Sequence, residues 1–132
     1  MKTLYVSDVD GTIYRAGQEE LRESSRALFE QILSRGTLLT VASGRNLHGV
    51  FDLVQQAGIT LPVIAYNGAV IYDFVQGEAV ATFPIEAENA RRIFALFARR
   101  NIPYQTCIFH REEQRCVSYL QNGYRTRHCE ER

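Results

Sequence analysis

Thr3-Leu4-Tyr5-Val6-Ser7-Asp8-Val9-Asp10-Gly11-Thr12 begins as a short apolar run rich in strand formers and breaks at two acids followed by glycine. It predicts a buried strand that ends in a polar turn. The same sequence of events recurs twice. Thr37-Leu38-Leu39-Thr40-Val41-Ala42 stops at Ser43-Gly44, and Pro62-Val63-Ile64-Ala65-Tyr66 stops at Asn67-Gly68. Between these runs lie two helical stretches. One spans about residues 20–34, with Leu21, Ala27, Leu28, Ile32 and Leu33 as its apolar positions, and is closed by Gly36; the other runs from about Asn46 to Ala57 and is closed by Gly58. Strand, helix, strand, helix, strand is the pattern of an α/β fold with a parallel sheet. In such sheets the turns after the strands share the carboxyl edge, where ligands bind. Asp8, Asp10, Ser43 and Asn67 are therefore expected in one crevice.

Beyond Gly68 the pattern changes. Residues 69–72 and 79–82 flank a turn containing Gly77 and predict a hairpin. After Pro84 comes an amphipathic helix over about 86–100, with Ile93, Phe94, Leu96 and Phe97 on its apolar side. Two strand-like runs follow, 102–109 and 116–120. A boundary is expected near Phe83-Pro84. This divides the chain into an N-terminal core part with its hairpin (1–83), a helix with two strands (84–121) and an irregular tail (122–132).

Composition narrows the function classes. The 132 residues are 45% hydrophobic and 23% charged, enough for a real core in a globular chain. Fifteen basic residues balance fifteen acidic ones. No basic excess exists to hold a nucleic-acid backbone or an anionic membrane, so neither partner is expected. No apolar run is long enough to span a bilayer and the N-terminus has no leader pattern, so a cytoplasmic protein is expected. Cys107, Cys116 and Cys129 have no metal-ligand spacing, and His48, His110 and His128 have no partner spacing for a metal or a triad.

Chemistry concentrates at the strand ends. Asp8 and Asp10, separated by one residue, can divide two roles: one attacks as a nucleophile, the other moves protons. Two acids so close also suit a hard cation such as Mg²⁺. Gly11 permits the sharp turn and Thr12 can hydrogen-bond within it. Ser43, Gly44 and Arg45 offer a hydroxyl, an open backbone and a guanidinium at the mouth of a helix, which favours a phosphate. Asn67-Gly68 is a turn pair placed where it can reach a substrate.

These residues, in this order and setting, resemble the haloacid dehalogenase superfamily, and within it the Cof-type sugar-phosphate phosphatases. The resemblance covers residues 1 to about 120. Asp8-Val9-Asp10-Gly11-Thr12 matches the first family motif, and implies Asp8 as nucleophile and Asp10 as general acid/base. The Asp8 carboxylate and the Asp10 carbonyl are then implied ligands of Mg²⁺. Ser43-Gly44-Arg45 matches the second motif, and Asn67-Gly68-Ala69 matches the segment before that branch's cap; a phosphate-binding role for Gly11, Thr12, Ser43, Gly44, Arg45 and Asn67 follows. A Rossmann-like core, incomplete, with a partial α+β cap is the implied fold, and a small phosphorylated metabolite the implied substrate. Two family motifs have no match. The only lysine is Lys2, and no aspartate follows Asp73. The chain is expected to stop inside the cap, to be weakly active or inactive, and to self-associate through exposed sheet surface. The alternatives are a remnant that only binds Mg²⁺, phosphate or a partner chain, and a receiver-like module. The receiver-like module is disfavoured because the third strand ends in Tyr66-Asn67 and no later lysine exists.

Overall fold

A computed structural model describes residues 3–15, 18 and 20–121. The expected irregular tail, 122–132, lies outside them. The chain divides into two compact units, Met1–Phe83 and Pro84–Arg132.

The first unit is built on strands β1 (Leu4–Asp8), β2 (Leu38–Ala42), β3 (Val63–Ala65), β4 (Val70–Asp73) and β5 (Glu78–Thr82), which form one sheet in that order. β1, β2 and β3 are parallel, while β4 and β5 run antiparallel to their neighbours. The sheet is thus mixed. The expected hairpin extends the parallel part, because Val63 pairs with Tyr72 and Ala65 with Val70. Helices α1 (Glu23–Ser34) and α2 (Leu47–Ala57) supply the two crossovers. Val9, Val41, Val50, Leu53 and Val63 are fully buried and form the centre of the core. The hydroxyl of Thr40, buried in β2, donates to the Pro62 carbonyl at 2.7 Å, so its burial leaves no donor unmet.

Two expectations of burial are corrected. β1 was expected to be buried, yet Leu4, Tyr5 and Val6 are 51%, 56% and 47% exposed. The cause is topological: β1 is hydrogen-bonded to β2 alone and stands at the edge of the sheet. In α1 the buried residue is Phe29, while Leu28 is 54% exposed. The helix therefore turns a narrower apolar stripe inward than its sequence offers.

The second unit holds α3 (Ala87–Arg99) and an antiparallel pair, β6 (Tyr104–His110) and β7 (Arg115–Gln121), in unbroken register. Phe94 stacks on Tyr104 with ring centroids 5.4 Å apart, and Phe97 packs against the same ring at 5.2 Å. α3 buries no residue fully, and Ile93 and Leu96 stay partly exposed. Among the described residues, no helix is long and apolar enough to cross a membrane.

Candidate active site

The parallel register fixes where the motif residues meet. Asp8 is the last residue of β1 and pairs with Ala42, the last residue of β2, which in turn pairs with Ile64 of β3. The chain segments that leave these three strands are therefore neighbours at one edge of the sheet. A cleft of about 360 Å³ opens there, with Asp8, Ser43, Gly44, Asn67 and Gly68 around Ala42 and Ile64. A larger depression of about 520 Å³ lies between α1 and α2, where Glu23, Glu30 and Arg26 offer mixed charge on helix surfaces. The smaller cleft is the candidate site, because it alone holds the acid at a strand end.

Each wall of the cleft has a local cause. Val9, fully buried between two exposed acids, anchors the first turn. Its carbonyl accepts the amides of Thr12, Ile13 and Tyr14 at 3.3, 2.9 and 2.9 Å, and Gly11, at φ +84°, donates to the Tyr14 carbonyl at 2.7 Å. This wraps the backbone into a compact turn and leaves both carboxylates outside it. Thr12 Oγ1 approaches Asp8 Oδ2 at 3.5 Å, a long hydrogen bond.

The second wall is Ser43-Gly44-Arg45. Ser43 is buried, its amide donates to the Ile64 carbonyl at 2.9 Å, and its Oγ accepts the Arg45 amide at 3.1 Å. The helix cap is a different residue: the Asn46 side chain accepts the Gly49 amide at 2.7 Å. The third wall is tied to the second, since Tyr66 donates to the Arg45 carbonyl at 2.9 Å and Asn67 to the Ser43 carbonyl at 3.1 Å. Tyr66 and Asn67 both hold positive φ, 52° and 55°. That conformation is costly for a tyrosine, and the two cross-loop hydrogen bonds hold it in place. At Gly44 the backbone and the Asn67 side chain approach closely, for a Cβ there would stand 2.7 Å from Asn67 Oδ1 and would push that side chain aside.

Asp10 and Arg45 are placed differently from Asp8. Asp10 takes part in a fork with Arg45: Nη2 to Oδ1 at 2.6 Å and Nε to Oδ2 at 3.0 Å. The guanidinium also donates to the Gly49 carbonyl at 3.3 Å and lies 5.0 Å above the Tyr14 ring. Arg45 was expected on a phosphate, and in this structure it grips the second acid instead. Tyr14 was not anticipated at all. Its ring is 3% exposed, and burial pushes its phenol up from the ordinary value while the Arg45 charge pulls the other way. A lone tyrosine two residues after Thr12 reads as core in the sequence, and nothing there ties it to Arg45.

As a cation site the arrangement is sparse. Among the described residues, no group of three or more His, Cys, Asp or Glu could hold a metal. Asp8 offers an exposed carboxylate, a hard oxygen donor of the kind Mg²⁺ prefers, and Asp10 lies two residues on with its carboxylate on Arg45. The residues therefore fit a hydrated, weakly held Mg²⁺.

Residues 5–129 match the haloacid dehalogenase-like hydrolases, nearly the whole chain. The chain belongs to this family. A Mycoplasma pneumoniae protein provisionally named a phosphatase is 29% identical over 112 residues, covering 85% of this chain and 36% of that protein. A solved structure from Thermotoga maritima superposes with a TM-score of 0.65 at 28% identity, covering 89% of this chain and 42% of that one. A haloacid dehalogenase subclass IIB sugar phosphatase superposes with a TM-score of 0.65 at 23% identity, over 89% of this chain and 44% of that one. This member of the family thus spans less than half the length of the relatives it matches.

Proposed function

We propose that the cleft hydrolyses phosphomonoesters of small phosphorylated metabolites, sugar phosphates foremost, through an aspartyl-phosphate on Asp8. One observation carries this proposal: Asp8 shares a cleft with Ser43, Gly44 and Asn67 at the carboxyl ends of parallel strands, with a second acid two residues away. The family membership and the sugar phosphatase of the same fold support it.

The Asp8 carboxylate attacks phosphorus, and the bond from phosphorus to the ester oxygen breaks. Asp10 in its protonated form gives its proton to that leaving oxygen. As a carboxylate it then takes a proton from water, whose oxygen attacks the aspartyl-phosphate, releasing orthophosphate and restoring Asp8. Asp10 now rests on Arg45, so this work requires it to turn away from the guanidinium toward the cleft. The released Arg45 then faces the phosphate, as do the Ser43 hydroxyl and the Gly44 and Asn67 walls. Gly11 and Thr12 shape the turn that holds Asp8. Asp8 and the Asp10 backbone carbonyl would hold Mg²⁺, which would supply positive charge against the phosphoryl oxygens. The second unit, which follows the first in sequence, is read as a partial cap, and a cytoplasmic location goes with a metabolite substrate.

Turnover is slow. Each preorganised group that neutralises phosphoryl charge commonly contributes about a hundredfold to a thousandfold in rate. No third acid joins Asp8 and Asp10 among the described residues, and the one lysine of the chain is Lys2. The same sparse donor set favours a second reading, phosphate and Mg²⁺ binding without turnover. The experiment compares the wild type with Asp8→Asn on p-nitrophenyl phosphate and a panel of sugar phosphates with Mg²⁺. Slow release at least tenfold above the variant is expected. Equal background in both, with retained binding of inorganic phosphate, defeats the hydrolase and leaves the binding module.

A further inference from the structure

Three side chains are joined in series beside the first turn. The Arg45 guanidinium lies over the Tyr14 ring, 5.0 Å from its centre, and the Asp10 carboxylate is forked on the guanidinium. The three are held with unequal firmness. Tyr14 is 3% exposed, its amide donates to the Val9 carbonyl at 2.9 Å, and its carbonyl accepts the Gly11 amide at 2.7 Å. Its ring is a fixed plate. Arg45 is pinned in the cleft wall by its backbone: its amide donates to Ser43 Oγ at 3.1 Å and its carbonyl accepts the Tyr66 amide at 2.9 Å. Its side chain is 27% exposed, and besides Asp10 it meets the Gly49 carbonyl at 3.3 Å and the Tyr14 ring. The Asp10 side chain, at 58%, is the most exposed of the three. When the pair parts, the acid is therefore the partner that moves, and the guanidinium stays with the plate.

A guanidinium that holds a carboxylate through two N–H donors matches two oxygens of a phosphoryl group equally well. Asp10 thus fills a fork that fits an oxyanion, and its departure vacates that fork. We propose that Tyr14 is a positioning residue, whose ring holds the Arg45 fork in place for a substrate phosphate when Asp10 turns away. The physical cause is the ring quadrupole, which attracts a cation over its face out to about 6 Å from the ring centre. This hold needs the ring and not the hydroxyl. Phenylalanine keeps it, whereas leucine fills buried space without a π face. The role presupposes the phosphate site proposed above.

Two measurements test it, and the first needs no phosphate. Protons over an aromatic face are shielded, so the Arg45 side-chain NMR signals are expected upfield of their ordinary positions in the wild type. They are expected to stay there in Asp10→Ala, where the acid is gone. Signals that return to ordinary positions in Asp10→Ala overturn the proposal. The second measurement is a titration of the full chain with inorganic phosphate. Tyr14→Leu is expected to weaken affinity roughly fivefold, with Tyr14→Phe within about twofold of the wild type. In an Arg45→Ala background Tyr14→Leu is expected to have no further effect, because it acts through Arg45. Unchanged affinity in a folded Tyr14→Leu overturns the proposal, as does a loss that persists in full without Arg45. If Tyr14→Leu does not fold, the Asp10→Ala signals and Tyr14→Phe decide, and a fivefold loss in Tyr14→Phe overturns it. A wild type that binds no phosphate while the Arg45 signals stay upfield overturns the phosphate site, and the role of Tyr14 falls with it. Bound phosphate with Arg45 signals at ordinary positions in Asp10→Ala strikes Tyr14 alone.

Discussion

Val9 does more for the site than its type suggests. Fully buried, it fixes the turn through its carbonyl and turns both neighbouring acids outward. Gly44 acts by what it lacks: the missing Cβ leaves room for the Asn67 side chain. Gly44→Ala should displace Asn67 and change stability by less than about 1 kcal/mol, since the obstacle is a movable side chain. Inorganic phosphate affinity, followed by NMR titration, should fall roughly tenfold, the equivalent of one lost hydrogen bond. Unchanged affinity would remove Asn67 from the phosphate site. At this scale Asp8, Ser43, Gly44 and Asn67 were legible in the sequence, because each sits at a fixed place after a recognisable strand. The Asp10–Arg45 fork and the Tyr14 ring beneath it were not, because a contact across 35 positions leaves no local pattern.

At the scale of elements, the capping of α2 separates two functions that the sequence leaves merged. Asn46 closes the helix N-terminus, and so the Ser43 hydroxyl is not spent on that cap. Asn46→Ala should cost about 1 kcal/mol in a denaturant melt while leaving the cleft residues in place. A neutral effect would mean that the cap is not holding the helix start. The order of strands and helices was readable from apolar runs punctuated by glycine and polar turns. The exposure of β1 was not, since an apolar run is the same whether a strand has one neighbour or two. Nor did the hairpin show that it would join the main sheet, because its partner, β3, is held by pairing rather than by turn chemistry.

For the whole molecule, the central claim is that Asp8 is the group to which the phosphoryl is transferred. The first unit supplies the strand ends, the turn and the cleft; family membership supplies the expectation of hydrolysis. Sparse positive charge at the cleft sets the expectation of a slow reaction. In the proposed mechanism even slow chemistry passes through a covalent adduct on Asp8, and a search for that adduct tests the proposal. The decisive measurement is mass spectrometry on protein quenched in acid during reaction with p-nitrophenyl phosphate and Mg²⁺. The phosphoryl group is expected on the peptide that contains Asp8, and absent when Asp8→Asn is treated in the same way. Phosphorylation at another residue, or turnover that survives in Asp8→Asn, would contradict the assignment.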